Sequence, residues 1–375
     1  MGSEKGELKT LIKDIRELIL SARKAVVHSV DLIQVFTNFE IGRCIVKHDQ
    51  QGEERAEYGR KILRELATEL TSEFGNGFSK SNLEYMRRFY LLYKDRNSQI
   101  AQTPSGQLPA PEKTQTASGG SVLLAKSKTL SVQFTLSWSH YVFLMGIKDE
   151  EERSFYEIEA THQNWALREL RRQFNSGLYE RLALSRDKEN IHKLAREGQT
   201  VTRPQDLLKE PYVLEFLGLD EKTRYSETDL ESAIIDKLER FLLELGKGFL
   251  FEARQKRFTF DEEHFFVDLV FYNRLLRCYV LIDLKIGKLT HQHLGQMQMY
   301  VNYFDRSIKL ADEHPTVGII LCKKKHDALV EITLPENANI YAKEYQLYLP
   351  DKEELKRKLV EWSEEAERLV GGGGV

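Results

Sequence analysis

Residues 265–285, FFVDLVFYNRLLRCYVLIDLK, place one aspartate in each of two consecutive apolar runs, Asp268 and Asp283, and a lysine, Lys285, two positions after the second. Side chains alternate faces along an extended strand, so Asp283 and Lys285 share one face while Ile282 and Leu284 take the other. The segment YNRLLR, 272–277, is short enough for a hairpin, which would lay the strand of Asp268 beside that of Asp283. Two carboxylates held together on a mostly buried sheet repel each other unless something positive sits between them. A hard divalent cation with a preference for oxygen ligands, Mg²⁺ or Mn²⁺, meets that need. A lone D-x-K more often forms a solvent-facing strand end with a surface ion pair. Other features must therefore decide.

Three do so. Residues 226–246, SETDLESAIIDKLERFLLELG, predict an amphipathic helix with an apolar stripe through Ile234, Ile235, Leu238, Phe241, Leu242 and Leu245. Extended one turn toward the N-terminus, that stripe reaches Glu231, a further carboxylate for a site on the sheet beneath. Thr228 with Glu231, or Ser226 with Asp229, also fits a capping box. In GQMQMYVNYF, 295–304, Gln296 and Tyr300 stand four apart and project from one helix face, where an amide and a phenol could orient water or touch phosphate, or simply pack. The order of elements is a helix with Glu231, strands 248–260, 264–272 and 278–285, a helix 291–304 and a strand VGIILC at 317–322: an αβββαβ succession.

That succession resembles the core of the PD-(D/E)XK nuclease superfamily, in which a helix acid, a strand Asp and a (D/E)-x-K form the site. The resemblance assigns these roles to Glu231, Asp268, Asp283 and Lys285, with the three acids as metal ligands, and a QxxxY element to Gln296 and Tyr300. LESAIIDKLERFLLELGKGF, DLVFYNRLLRCYVLIDLK, SWSHY and NWALREL are similar to the YhcG-like family of predicted nucleases, over about residues 20–360. Two departures stand out. Asp283 occupies a position where Glu is more usual, shortening the ligand by one methylene, and Val267 stands where a Pro often precedes the strand Asp.

At 375 residues the chain is long enough for two or three domains. Hydrophobic residues at 41% and charged residues at 30% exclude a wholly disordered chain. No apolar run approaches the ~20 residues needed to span a bilayer. The start MGSEKGELK carries early acidic charge and no apolar core, which predicts no signal peptide. Cys44, Cys278 and Cys322 lie far apart without C-x-x-C spacing, which predicts neither disulfides nor a zinc site and points to the reducing cytoplasm. A net charge of −3 is not that of a protein that coats nucleic acid, so any DNA contact must come from local basic patches. His291 and His293 open a helix at i, i+2 and do not share a face, which makes them surface or supporting residues.

Residues 7–95 read as helical, 97–130 as a flexible Ser/Thr/Gln/Pro/Gly insertion, and helical pattern resumes from SWSHYVFLMGI. A break at 198–207 separates a helical domain, 1–200, from a nuclease-like domain, 201–375, that ends in a charged helix. Within the first, 59–94 predicts two helices about the Gly75–Gly77 turn, with Ser79 capping the second. As a helix-turn-helix it would bring Lys80, Arg87 and Arg88 to DNA phosphates. As a helical hairpin it would present a solvated basic face. No phosphate-binding G-x-x-x-x-G-K-[ST] loop occurs.

The expectation is an α+β multidomain protein: an all-helical N-terminal domain, and a C-terminal α/β restriction-endonuclease-like domain that hydrolyses phosphodiesters, most directly as a DNA endonuclease. RNA stays open as substrate, and a homo-oligomer stays open as assembly. The alternative is a nucleic-acid-binding or scaffold protein on an inactive nuclease fold. The intact Glu, Asp, Asp and Lys set favours the enzyme, because a scaffold loses nothing when one ligand is lost.

Overall fold

The computed structural model describes residues 31–48, 56–96, 134–185, 189–219, 225–260, 262–335 and 337–371. They form two compact units. The first holds the described residues up to Arg153 together with Ala160–Leu167, and the second holds Ser154–Glu159 and the chain from Arg168 onward. The insertion expected at 97–130 lies outside the described residues.

The first unit is helical. Helix α1 spans 31–48, α2 Ala56–Phe74, α3 Lys80–Tyr93 and α4 Trp138–Leu144, and α5 starts at Glu150 and runs to His162. Its core is aromatic: Phe89 packs at ring-centroid distances of 5.9 Å from Phe39, 5.0 Å from Phe134 and 5.0 Å from Tyr141. Gly42 of α1 lies so close to α3 that a Cβ there would meet the Met86 carbonyl oxygen at 2.1 Å, so only glycine permits this approach. The predicted pair of helices is present. Gly75 and Gly77 take φ of 82° and 124° in the turn between α2 and α3, and the Ser79 hydroxyl accepts the Asn82 N–H at 3.3 Å as the cap of α3. Leu83, Met86, Phe89 and Tyr93 face inward from α3, leaving Arg87 and Arg88 on its exposed side; Lys80 is half-buried and pairs with Glu84 at 3.4 Å.

The second unit adds helices α6 (Leu167–Asn175), α7 (Leu178–Leu184) and α8 (Glu189–Glu197) to a six-stranded sheet. Strands β1 (Tyr212–Val213), β2 (Phe249–Phe260), β3 (Glu263–Asn273), β4 (Cys278–Lys288), β5 (Val317–Lys324) and β6 (Ile340–Gln346) lie in the order β1-β6-β5-β4-β3-β2. Pairing is antiparallel from β2 through β4 and parallel from β4 to β1. Helices α9 (Glu227–Asp236) and α10 (Leu238–Leu245) cover one face, packing Leu230, Ile234, Phe241 and Leu245 against Leu269, Phe271, Ile282 and Leu284. Helix α11 (His291–Tyr303) covers the other, with Leu294, Met297, Tyr300 and Val301 against Val267, Val270, Leu281 and Ile320. Helix α12 (Asp327–Thr333) adds to that face, and α13 (Lys352–Gly371) follows β6.

One expectation changes. The single helix predicted for 226–246 is two helices, because Lys237 leaves helical geometry at φ −118°, ψ 27°. The break re-aims the apolar stripe: Ile234, Phe241 and Leu245 are buried, while Ile235, Leu238 and Leu242 are half-buried. The compact units divide before residue 200, with α6 to α8 built into the unit of the sheet. Arg172 of α6 pairs with Glu215 at 2.8 Å, and Arg181 of α7 pairs with Glu244 of α10 at 2.5 Å, both ends of that second pair being fully buried.

The buried Glu244 carboxylate also accepts the Val213 N–H at 3.0 Å, and Lys209 donates to the Glu244 carbonyl. Burial alone would raise the Glu244 pKa, but Arg181, Lys209 and Arg172 override it and hold the group down to about 2. Burial pushes Lys209 the opposite way, down to about 8. Cys278 and Cys322 are free, buried and pushed up to about 12, mainly by burial, so neither is a reactive thiolate at neutral pH.

Candidate active site

The β3–β4 hairpin is the expected one, with Asn273 opposite Cys278 and Leu269 opposite Ile282. The ladder ends there, one residue short of Asp268 and Asp283, so the two carboxylates sit where the strands part. The Leu284 N–H at this opening donates to Asp268 Oδ2 at 2.8 Å. Lys285 Nζ lies 2.8 Å from Asp283 Oδ2 and 3.5 Å from Glu227 Oε2. Asp283 Oδ2 is buried and makes no aligned hydrogen bond, so the lysine meets it as an ion pair only.

The electrostatics follow from this geometry. Burial, then the neighbouring Asp283 charge, pushes the Asp268 carboxyl up to about 7, against the opposing Leu284 N–H and Lys285. Asp283 also stands above its ordinary range, through burial, in spite of Lys285. The two acids titrate together. Lys285 is held above its ordinary value by Asp283, Asp268 and Glu227, which outweigh its burial.

An acid whose pKa is higher in the folded chain binds more protons folded than unfolded. Its contribution is present in full below the ordinary carboxylate value and is lost as pH rises through about 7. In a chelating buffer, denaturation midpoints should therefore fall between pH 5 and 8, and Asp268→Asn should flatten that fall. Parallel slopes in the two proteins would mean that Asp268 does not titrate with a raised pKa.

Glu231 is buried, as its place on the stripe predicts, but both its oxygens are engaged. Arg254 Nε donates to Oε1, and Gln255 Nε2 donates to Oε2 at 2.5 Å. The same Gln255 amide reaches Asp268 Oδ1 at 3.0 Å. The capping box of α9 uses Ser226 with Asp229, at 3.1 Å and 2.8 Å, which leaves Glu231 out of any cap. On α11, Gln296 donates to the Tyr300 hydroxyl. Burial, with Asp283 and Asp268 adding, pushes Tyr300 up to about 12, so it stays a neutral phenol near the acids. His293 is half-buried, its Nδ1 accepts the Thr290 N–H at 3.3 Å, and burial together with Lys285 lowers its pKa. His291 is exposed.

Asp268, Asp283 and Lys285 thus come together as their spacing predicts, with Tyr300 close behind. Lys80, Arg87 and Arg88 belong to the other unit. Glu227, Arg254 and Gln255 were missed. Glu227 carries a faint signal, since it is one turn before Glu231, while the contacts of Arg254 and Gln255 exist only once β2 is folded beside α9.

The donor set suits a hard cation. It offers one buried and one half-buried carboxylate, Asp283 and Asp268, whose charges oppose each other, and one of their oxygens lacks a hydrogen bond. Among the described residues no three His, Cys, Asp or Glu side chains converge on one metal position. Glu231 is the acid that would complete such a set, and Arg254 and Gln255 hold it.

An αβββαβ core carrying an Asp on one central strand and D-x-K on the next is the arrangement of a PD-(D/E)XK nuclease. The family described as YhcG PDDEXK nuclease domain matches residues 205–360, and the DUF1016 N-terminal domain matches 14–181. The chain is 40% identical over 348 residues to "Putative nuclease YhcG" of Escherichia coli (strain K12), covering 92% of each. It belongs to the YhcG family. Two solved structures are also similar in part: a repair endonuclease from Pyrococcus abyssi (16% identical, 35% of this chain, TM-score 0.23) and an EndoMS complex with double-stranded DNA (16% identical, 36% of this chain, TM-score 0.24). The matched part spans 50% of each of those solved chains. No helix among the described residues is long and apolar enough to cross a membrane.

Proposed function

We propose that the protein is a divalent-metal-dependent endonuclease acting on DNA, with Asp268, Asp283 and Lys285 at its centre. The observation that carries the reading is the meeting of two acids and a lysine at the opening of β3 and β4, with Asp268 pushed up to about 7. Asp268 and Asp283 would hold the Mg²⁺ or Mn²⁺, which when bound supplies charge to polarise a phosphate and to make water a better nucleophile. Lys285 keeps its ammonium charged and directs N–H donors into the site, where they orient the attacking water or meet charge growing on phosphate oxygens. Tyr300, whose hydroxyl accepts from the Gln296 amide, stays protonated and so keeps its own O–H to donate. Glu231 is the third acid.

The inactive-scaffold alternative has less support, because a site without chemistry has no reason to keep a buried acid beside a half-buried one that it repels. The exposed side of α3 would offer a cationic surface to a DNA substrate, with Arg87 and Arg88 exposed and Lys80 in a weak surface pair with Glu84.

Purified protein should nick or degrade DNA in Mg²⁺ or Mn²⁺ and stop on addition of EDTA. Ca²⁺ should support binding better than cleavage. In the same assay, changing Lys80, Arg87 and Arg88 to Ala should weaken binding and lower the salt slope by roughly 0.9 for each phosphate no longer neutralised, with cleavage at saturating DNA unchanged. Cleavage that survives thorough chelation would remove the metal-based reading. An unchanged slope would leave α2 and α3 as a helical hairpin with a solvated face.

A further inference from the structure

Gln255 sits in the middle of β2 with φ 47°, a left-handed conformation that a residue with a side chain adopts at a cost. Its neighbours pair regularly with β3, Arg254 with Leu269 and Lys256 with Val267. The register is the same on both sides of Gln255, the shift of β2 against β3 lying earlier, between Phe251 and Ala253, and the Gln255 amide Nε2 ends between Glu231 Oε2, at 2.5 Å, and Asp268 Oδ1, at 3.0 Å. Those two oxygens come from different elements, α9 and β3. A donor with two N–H groups placed between two acids does what a cation would do there, bringing both oxygens to a common positive pole. Arg254 completes the hold, taking the other Glu231 oxygen through Nε and the Ser232 hydroxyl through a terminal nitrogen at 2.9 Å.

We propose that Gln255 is a positioning residue that stands in for the cation. It holds Glu231 and Asp268 in register and must give way before Glu231 can become a ligand. The inference rests on the divalent-cation reading of this site. It explains why Glu231 lies beside the pair yet does not converge with it into a three-ligand group, and why a strained conformation is kept within a strand.

The test uses the full chain, Mn²⁺ as probe and no substrate. Mn²⁺ affinity is measured by titration calorimetry, and the unfolding midpoint is measured in EDTA and at saturating Mn²⁺. Gln255→Gly relieves the backbone and deletes the amide. Affinity should rise about ten-fold, the size of change that partners of metal ligands commonly produce. The gap between the EDTA and Mn²⁺ midpoints should widen. Gln255→Lys puts a fixed ammonium between the same acids, so affinity should fall by about ten-fold or more and the gap should shrink. Unchanged affinity in both variants, or a fall in the glycine variant, would overturn the proposal. Should the glycine variant not fold, the lysine variant decides alone, and affinity equal to wild type overturns it. Wild-type protein that takes up no Mn²⁺ would instead remove the cation reading itself.

Discussion

Lys285→Ala should lower single-turnover DNA cleavage by about 100-fold or more at matched metal occupancy, since losing one preorganised electrostatic stabiliser costs ~3 to 4 kcal/mol at the transition state. The size follows from where the ammonium sits. Lys285 is 8% exposed, faces Asp283 at 2.8 Å and is the cation nearest two acids, so water cannot easily replace its charge. Mn²⁺ affinity should hold or rise, because a competing positive charge is gone from beside Asp283. Were Lys285 only the partner of a surface ion pair, cleavage and stability would each shift by less than about 1 kcal/mol. Equal rates from two equally folded proteins would take Lys285 out of the mechanism and favour the scaffold alternative.

Glu244→Ala should destabilise the second unit by about 3 to 5 kcal/mol, the usual cost of stripping one member from a buried ion pair. Arg181 has no exposed surface, and its guanidinium would lose its carboxylate while staying enclosed. The Val213 N–H would lose its acceptor at the start of the two-residue strand β1. The acid dependence has the opposite sign to that of Asp268. Glu244 is held down to about 2, so its contribution is present above the ordinary carboxylate value and fades as pH falls toward 2. Urea unfolding at pH 7 and pH 3 should therefore show a larger difference between wild type and variant at pH 7. A loss below about 1 kcal/mol at pH 7 would mean that water reaches Arg181.

The elements that built the site were legible because their signals are local. Strand alternation in YVLIDLK placed Asp283 and Lys285 together, the short turn 272–277 forced the hairpin, and the order of elements matched a known core. Contacts that depend on distant chain were not legible. The stripe from Ile234 to Leu245 is unbroken in sequence, yet Lys237 ends one helix and starts another, and α9 and α10 each pack their own buried residues into the core on that face of the sheet. Helices α6 to α8 look like more of the helical domain, since amphipathic period does not say which core an apolar face will join. Arg181 and Glu244 are 63 residues apart, and neither residue type announces a buried partner. Arg254 and Gln255 read as ordinary polar positions of a strand, and their engagement with Glu231 required α9 to be in place.

The left-handed backbone at Gln255 has an effect outside the site. Strand β2 is the outermost strand on its side of the sheet and runs for 12 residues, so its outer row of N–H and C=O groups is the kind of border onto which another chain can zip. A residue at φ 47° swings the peptide planes out of that row midway, and Glu252, Arg254, Lys256 and Arg257 line the border with charge. The register of β2 against β3 shifts between Phe251 and Ala253, so a foreign strand in step with the border before Glu252 would fall out of step after it, and Gln255 interrupts the row once more. A bulge and one twisted residue together keep the longest open border of this sheet solitary.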